Sequence, residues 1–151
     1  MSDRDAQPDP ARPLRTDEPA VAVEAAREAH ARERLEDYVE AIGELVRTHG
    51  ECRVSHLAKW FGVSHVTALR AVAGLQEQGL ATTEPHQPIA LTAAGEELAG
   101  RLRERHDLVF RFLLALGVDG ETAAIDAEGI EHHLSDSTLL RIAAWIEAQD
   151  A

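Results

Sequence analysis

The sequence predicts a mainly α chain: a winged helix-turn-helix with a small β-hairpin wing in its N-terminal half, then a helical domain. Three observations predict this. Leu35, Val39, Ile42, Leu45 and Val46 recur at spacings of three and four, the period of a helix with one buried face. Two short helical stretches flank Gly62 in RVSHLAKWFGVSHVTALRAVAGLQEQGL, residues 53–80. Directly after them, the turn formers Pro85, His86, Gln87 and Pro88 separate two strand-like runs.

Taken in order, residues 1–20 are polar, Pro-rich and of mixed charge, and are predicted to be a disordered tail. A helix is predicted from Ala20 to His49, with Gly50 as its stop. In the helix-turn-helix, Val54, Leu57, Ala58 and Phe61 form the apolar side of the first helix. Gly62 allows the turn, Ser64 caps the second helix, and Ala58 and Ala68 are small enough for the crossing. A plain helical hairpin with a Gly turn gives a similar pattern, but the hairpin that follows has the position of a wing. Thr92 is predicted to cap a long helix to Leu116, with Gly117 and Gly120 bracketing the next turn. A helix from Glu121 to His133 and a last one, capped by Ser135 or Asp136 and running through Trp145, complete the chain. The expected domains are therefore a winged helix-turn-helix over 21–92 and a helical domain over 93–151.

Composition narrows the function. Hydrophobic residues make up 44% of the 151, enough for a core, but aromatics only 4%, so aliphatic side chains must do the packing. No run approaches the ~20 apolar residues of a membrane helix, and the polar start is unlike a signal peptide, so a cytoplasmic protein is expected. The single cysteine, Cys52, excludes an intrachain disulfide. A net charge of −12 runs against the basic surplus usual in nucleic-acid binders, and by itself favours an enzyme or a cation-binding protein.

The densest chemical signal is AEGIEHHLS, residues 127–135. On a helix Glu128, Glu131 and His132 stand at i, i+3 and i+4 and share one face, where two carboxylates a turn apart repel unless a cation lies between them. Asp37 and Glu40 form a second i, i+3 pair in EDYVE. Either cluster alone could be a solvated acidic face, and His106, set among core positions of the long helix, could be a packed histidine. Gathered into one site, the four carboxylates and two neutral imidazoles carry a charge of −4, which two divalent ions cancel. Oxygen-rich ligation with imidazole favours Mn(II) or Fe(II) over thiolate-seeking Zn(II). Without metal the gathered carboxylates repel, so the metal-free form is expected to be looser. Metal would then clamp the first helix, which leads into the helix-turn-helix, to the later helices.

The stretches EDYVEAI, LTAAGEELA, RERH..V..FL and DAEGIEHHLS together resemble the diphtheria toxin repressor family of metalloregulators, over Arg34 to Trp145. The resemblance implies a binuclear site formed by Asp37, Glu40, His106, Glu128, Glu131 and His132, joining the two clusters and adding His106. It implies one ion held by Asp37, His106, Glu128 and Glu131, and another by Glu40, Glu128, Glu131 and His132. In the family's iron-sensing branch a Met and a Cys stand at the positions of Asp37 and Glu128. Oxygen ligands at both are similar to the manganese branch, so two Mn(II) ions are expected, with Fe(II) as the second candidate. The resemblance further implies a helical metal-binding and dimerisation domain, a homodimer, and metal-dependent repression of metal-uptake genes by binding double-stranded operator DNA.

The chain departs from the family where DNA is read. Ser64, His65, Thr67 and Arg70 are the candidate DNA-binding residues, and Arg70 is the only strong cation on that helix. The wing offers His86 and Gln87 in place of Arg or Lys; Arg53 and Lys59 are either phosphate contacts or solvated charges. Three rival readings follow: a di-metal helical enzyme, a winged-helix regulator responding to a small organic ligand, and a metal-responsive protein that no longer binds DNA. The first lacks the Glu-x-x-His pairs of di-iron bundles at the site, and the HExxH of zinc proteases is absent.

Overall fold

The computed structural model describes residues 19–150, so the N-terminal tail expected over 1–20 lies outside the described residues up to position 18. Six helices and one hairpin follow one another: α1 (Pro19–His49), α2 (Val54–Phe61), α3 (His65–Glu77), β1 (Ala81–Thr82), β2 (Ala90–Leu91), α4 (Ala93–Ala115), α5 (Gly120–Ile130) and α6 (Asp136–Asp150), with a 3-10 turn over Glu131–His133. Two compact units are distinguished, one ending at Ala31 and one beginning at Arg32. The first ends in the opening turns of α1, whose side chains are mostly exposed. Among the described residues no helix is long and apolar enough to cross a membrane.

In α1 the apolar period places Tyr38, Val39, Ala41, Ile42 and Leu45 inward, where they meet Leu57 of α2, Ala68, Val72 and Leu75 of α3, and Ala99 and Leu102 of α4. Because each residue turns the helix by about 100°, Asp37 and Glu40 fall beside this buried face and are half-buried. The Tyr38 ring packs on Phe61, with centroids 4.3 Å apart, and so joins α1 to the end of α2.

The helix-turn-helix forms as its residues demand. Gly62 takes a left-handed conformation, φ 63°, that would strain a side chain. The Ser64 hydroxyl accepts from the Thr67 amide at 3.1 Å and caps α3. The hairpin pairs Ala81 with Leu91 and Thr82 with Ala90, and an isolated bridge between Cys52 and Ile89 ties the loop side of β2 to the segment before α2. Arg53 is neither free nor simply solvated: it donates to Glu51 at 2.9 Å and to the His86 carbonyl at 3.1 Å. Its charge is engaged in fastening the wing tip, where His86 adopts φ 65°.

Thr92 caps α4 by accepting from the Gly95 amide at 3.1 Å and donates to the Gly79 carbonyl at 2.6 Å. Gly95 is buried here, and a Cβ on it would lie 2.0 Å from the Leu80 carbonyl oxygen, a backbone atom that cannot rotate away. We therefore expect Gly95→Ala to destabilise the fold by about 2 kcal/mol or more, at or above the middle of the range for overpacking a rigid site. A fall in the urea midpoint at unchanged slope checks this; an unchanged midpoint means that the backbone yields.

Val109 of α4, Ala123 and Ala127 of α5, and Ile142 and Ile146 of α6 are buried in the C-terminal half. Phe112 meets Trp145 edge-on at 5.5 Å. Two expected boundaries shift. The helix expected to reach His133 ends as an α-helix at Ile130, and Glu131–His133 form the tighter 3-10 turn that often closes a helix. The last helix is capped by Ser135, which accepts from the Thr138 amide at 3.2 Å, and continues past Trp145 to Asp150.

Candidate metal centre

Three elements bring the six expected residues together. Helix α1 supplies Asp37 and Glu40, α4 supplies half-buried His106, and the end of α5 with its 3-10 turn supplies Glu128, Glu131 and His132. Their donor atoms form two groups, each lying within 4.8 Å: Asp37 with Glu40 and His132, and His106 with Glu128 and Glu131. This grouping differs from the sharing that the resemblance implies, since Asp37 lies with His132 rather than with His106. Glu131 and His132 lie in the 3-10 turn: Glu131 meets His106 of α4, His132 meets Asp37 of α1, and 3.5 Å separates Glu131 Oε1 from His132 Nε2.

Glu131 stands between the two groups. Only 1% exposed, it places Oε2 at 2.7 Å from His106 Nδ1 and Oε1 at 3.5 Å from His132 Nε2. Glu128 lies further out, with its side chain 66% exposed and Oε2 at 3.5 Å from His106 Nδ1. His132 Nε2 faces Asp37 Oδ1 at 3.2 Å, near enough for charge attraction but not aligned for a hydrogen bond. On the other edge of the same ring, His132 Nδ1 meets Glu36 Oε2 at 2.7 Å. Glu36 was not among the expected residues. Its only signal in the sequence is its position, one residue before Asp37.

The electrostatics are those of a site short of positive charge. Burial, reinforced by the carboxylates of Glu131, Glu128 and Asp37, pushes Glu40 up to about 7. Burial likewise raises Glu131. The Asp37 carboxylate, with Glu36, raises His132 to about 10, so its imidazole carries a proton at neutral pH and partly offsets the negative charge. Even so, Glu131 Oε1 and His132 Nε2 are buried with no hydrogen-bond partner. Leaving such atoms unpaired costs about 1–3 kcal/mol each. Two unpaired donor atoms facing each other across 3.5 Å, among oxygen and imidazole ligands, fit a divalent cation. A cavity of about 550 Å³ opens there, lined among others by Asp37, Glu40, His106, Glu128, Trp60 and Arg103.

The candidate DNA residues Ser64, His65, Thr67 and Arg70 are all exposed at the N-terminal part of α3. Val66 and Leu69, which were not among them, are 56% and 48% exposed on the same helix.

Over 113 residues the chain is 49% identical to the transcriptional regulator MntR of Escherichia coli O6:H1, an alignment covering 75% of this chain and 73% of that protein. The chain belongs to the MntR family. MntR of Bacillus subtilis strain 168 is 35% identical over 113 residues, covering 75% of this chain and 80% of the relative. Residues 92–149 match the family described as iron dependent repressor, metal binding and dimerisation domain. Residues 39–84 match the DeoR-like helix-turn-helix domain. Among solved structures, a manganese-dependent transcriptional repressor in complex with manganese superposes with a TM-score of 0.67 at 30% identity, covering 75% of this chain and 52% of that one. The chain thus spans about half the length of that solved repressor. MntR-family membership makes the chain a transcriptional regulator with a DNA-binding helix-turn-helix, not an enzyme, and the di-metal enzyme reading falls.

Proposed function

We propose that this MntR-family chain is a manganese-dependent homodimeric repressor, whose six residues Asp37, Glu40, His106, Glu128, Glu131 and His132 hold two Mn(II) ions. The observation that carries the reading is the meeting of two three-residue donor groups at Glu131 and His132, each with a buried atom lacking a partner. Two bound divalent cations supply the four positive charges that balance the four carboxylates. Manganese is favoured by the all-oxygen and imidazole donor set, by the absence of sulfur at Asp37 and Glu128, and by the manganese named in the related repressor structure. Fe(II) is the second candidate.

Residues 21–92 then form the DNA-reading domain and 93–151 the dimerisation domain, with the site joining α1 to the later helices. Support for a dimer comes from Leu116, Ile125 and Leu140, which are 55%, 68% and 71% exposed in the C-terminal half. Ser64 sets the start of α3, His65, Thr67 and Arg70 face double-stranded operator DNA, and the exposed Val66 and Leu69 suit thymine methyl groups. The natural targets are metal-uptake genes, and the working compartment is the cytoplasm.

A gel-shift titration of the upstream DNA of the chain's own gene with Mn(II), Fe(II) and Zn(II) tests binding, gating and selectivity together. We expect a shift that needs metal and appears at the lowest concentration with Mn(II). A shift indifferent to metal would remove the proposed gate. Asp37→Met should move the order of effectiveness away from manganese, because a soft thioether replaces a hard oxygen; an unchanged order counts against Asp37 as the selecting ligand.

A further inference from the structure

The geometry points to Glu36 as a positioning residue that fixes the His132 ring so that Nε2, and not Nδ1, is offered to metal. This rests on the reading of the six residues as a metal centre. Glu36 lies outside both donor groups, yet it is not a surface carboxylate. Its side chain is 12% exposed, and the imidazole it meets at 2.7 Å is 2% exposed. A buried ring nitrogen bearing a proton needs an acceptor, and Glu36 Oε2 is the hydrogen-bond partner that Nδ1 has. The opposite nitrogen, Nε2, has none and faces Asp37 and Glu131.

The arrangement follows from helix geometry. Consecutive helical residues diverge by about 100°, so Glu36 and Asp37 reach different edges of one imidazole ring, one at Nδ1 and the other at Nε2. Glu36 is itself anchored: Arg105 Nη1 stands 3.9 Å from the same Oε2. Arg105 directly precedes His106 on α4, so α1, α4 and the 3-10 turn, the three sources of ligands, are coupled behind the site as well as in front of it. The Glu36 charge is met by Arg105, outside the set of four carboxylates that the cations balance. Nδ1–H donated to Glu36 fixes the tautomer in which Nε2 keeps its lone pair for metal.

The test uses the full chain and Mn(II) itself. Free Mn(II) is read from its electron paramagnetic resonance signal during titration of wild type, Glu36→Ala and Glu36→Gln. We expect Glu36→Ala to weaken binding about tenfold to a hundredfold, as loss of a carboxylate behind a metal-bound histidine does elsewhere. Glu36→Gln, whose amide oxygen still accepts from Nδ1–H, should recover most of it. Equal loss in both variants would make the effect one of charge and overturn the positioning role. A wild type and Glu36→Ala that bind Mn(II) equally well would also overturn it, leaving the metal centre intact, whereas a wild type that binds no Mn(II) removes both. A measurement on wild type alone covers the case of a Glu36→Ala chain that does not fold. In protein loaded with diamagnetic cadmium-113, the nitrogen-15 spectrum should show the His132 metal coupling at Nε2 and a proton on Nδ1. Coupling at Nδ1 would overturn the assignment.

Discussion

Glu131→Ala is expected to yield a folded chain whose manganese-dependent operator binding is weaker by at least about tenfold, the lower end of what loss of a metal-site residue costs. Glu131 reaches both halves of the site: one carboxylate oxygen meets His106 at 2.7 Å and the other lies 3.5 Å from His132. Its removal leaves His106 with exposed Glu128 alone, and takes from the Asp37, Glu40 and His132 group the carboxylate oxygen that links it to the other half. The same change removes a buried carboxylate that burial already disfavours in its charged form. The metal-free variant should therefore melt no lower than metal-free wild type, while the gain in melting temperature on adding Mn(II) shrinks. That pairing separates a lost ligand from a damaged fold. Normal operator binding by Glu131→Ala with Mn(II) would sink the proposed switch.

The second large effect is on pH. In the metal-free protein His132 holds its proton up to about 10 and Glu40 up to about 7, and both must be shed before these groups can ligate metal. Between pH 7 and 10 one proton is displaced, so Mn(II) affinity should rise about tenfold per pH unit. Below 7 the Glu40 proton is added, and the slope should steepen toward about a hundredfold per unit. Folding of the metal-free chain runs the other way. Raised His132 contributes stability that is fully present below its ordinary 6.5 and lost as pH rises through about 10. Raised Glu40 keeps its proton in the fold from its ordinary 4.5 to about 7, and that contribution is lost as pH rises through the upper value. The gap in melting temperature between manganese-loaded and metal-free protein should consequently widen from pH 6 to pH 9. A constant gap would mean that protons and metal do not compete for these groups.

The helix-turn-helix was legible because its determinants are local: Gly62 at φ 63° and the Ser64 cap act over three or four residues. The same holds for the Thr92 cap and for the pairing of Asp37 with Glu40 on one side of α1. His106 was not legible from spacing, since a histidine among core positions reads alike whether it packs or ligates; only the family resemblance singled it out. The change from α to 3-10 geometry at Glu131 also escaped, since no residue in EGIEHHLS signals it, and so did the division of the ligands into two groups, which depends on partners from α1 and α4. Arg53 was ambiguous for a related reason: its partners are Glu51 nearby and a carbonyl on the wing, 33 positions away. Glu36 is the clearest case. Nothing in its own neighbourhood distinguishes it from the other carboxylates of α1, and its partner lies on a distant turn.

That partner is 96 positions further along the chain. Drawing together the ends of a flexible segment of that length costs about 4 kcal/mol in chain entropy at 25 °C. The apolar residues of α1, α2, α3 and α4 supply a core against which that cost can be met, with Glu36 and His132 brought to 2.7 Å. A cation at this site would then be spared the work done by the zinc of a small finger domain, which must fold its host. On that reading the site empties and refills without the chain unfolding, and chelator-treated protein should keep its helical circular dichroism; loss of that signal would make the metal a fastener rather than a gauge.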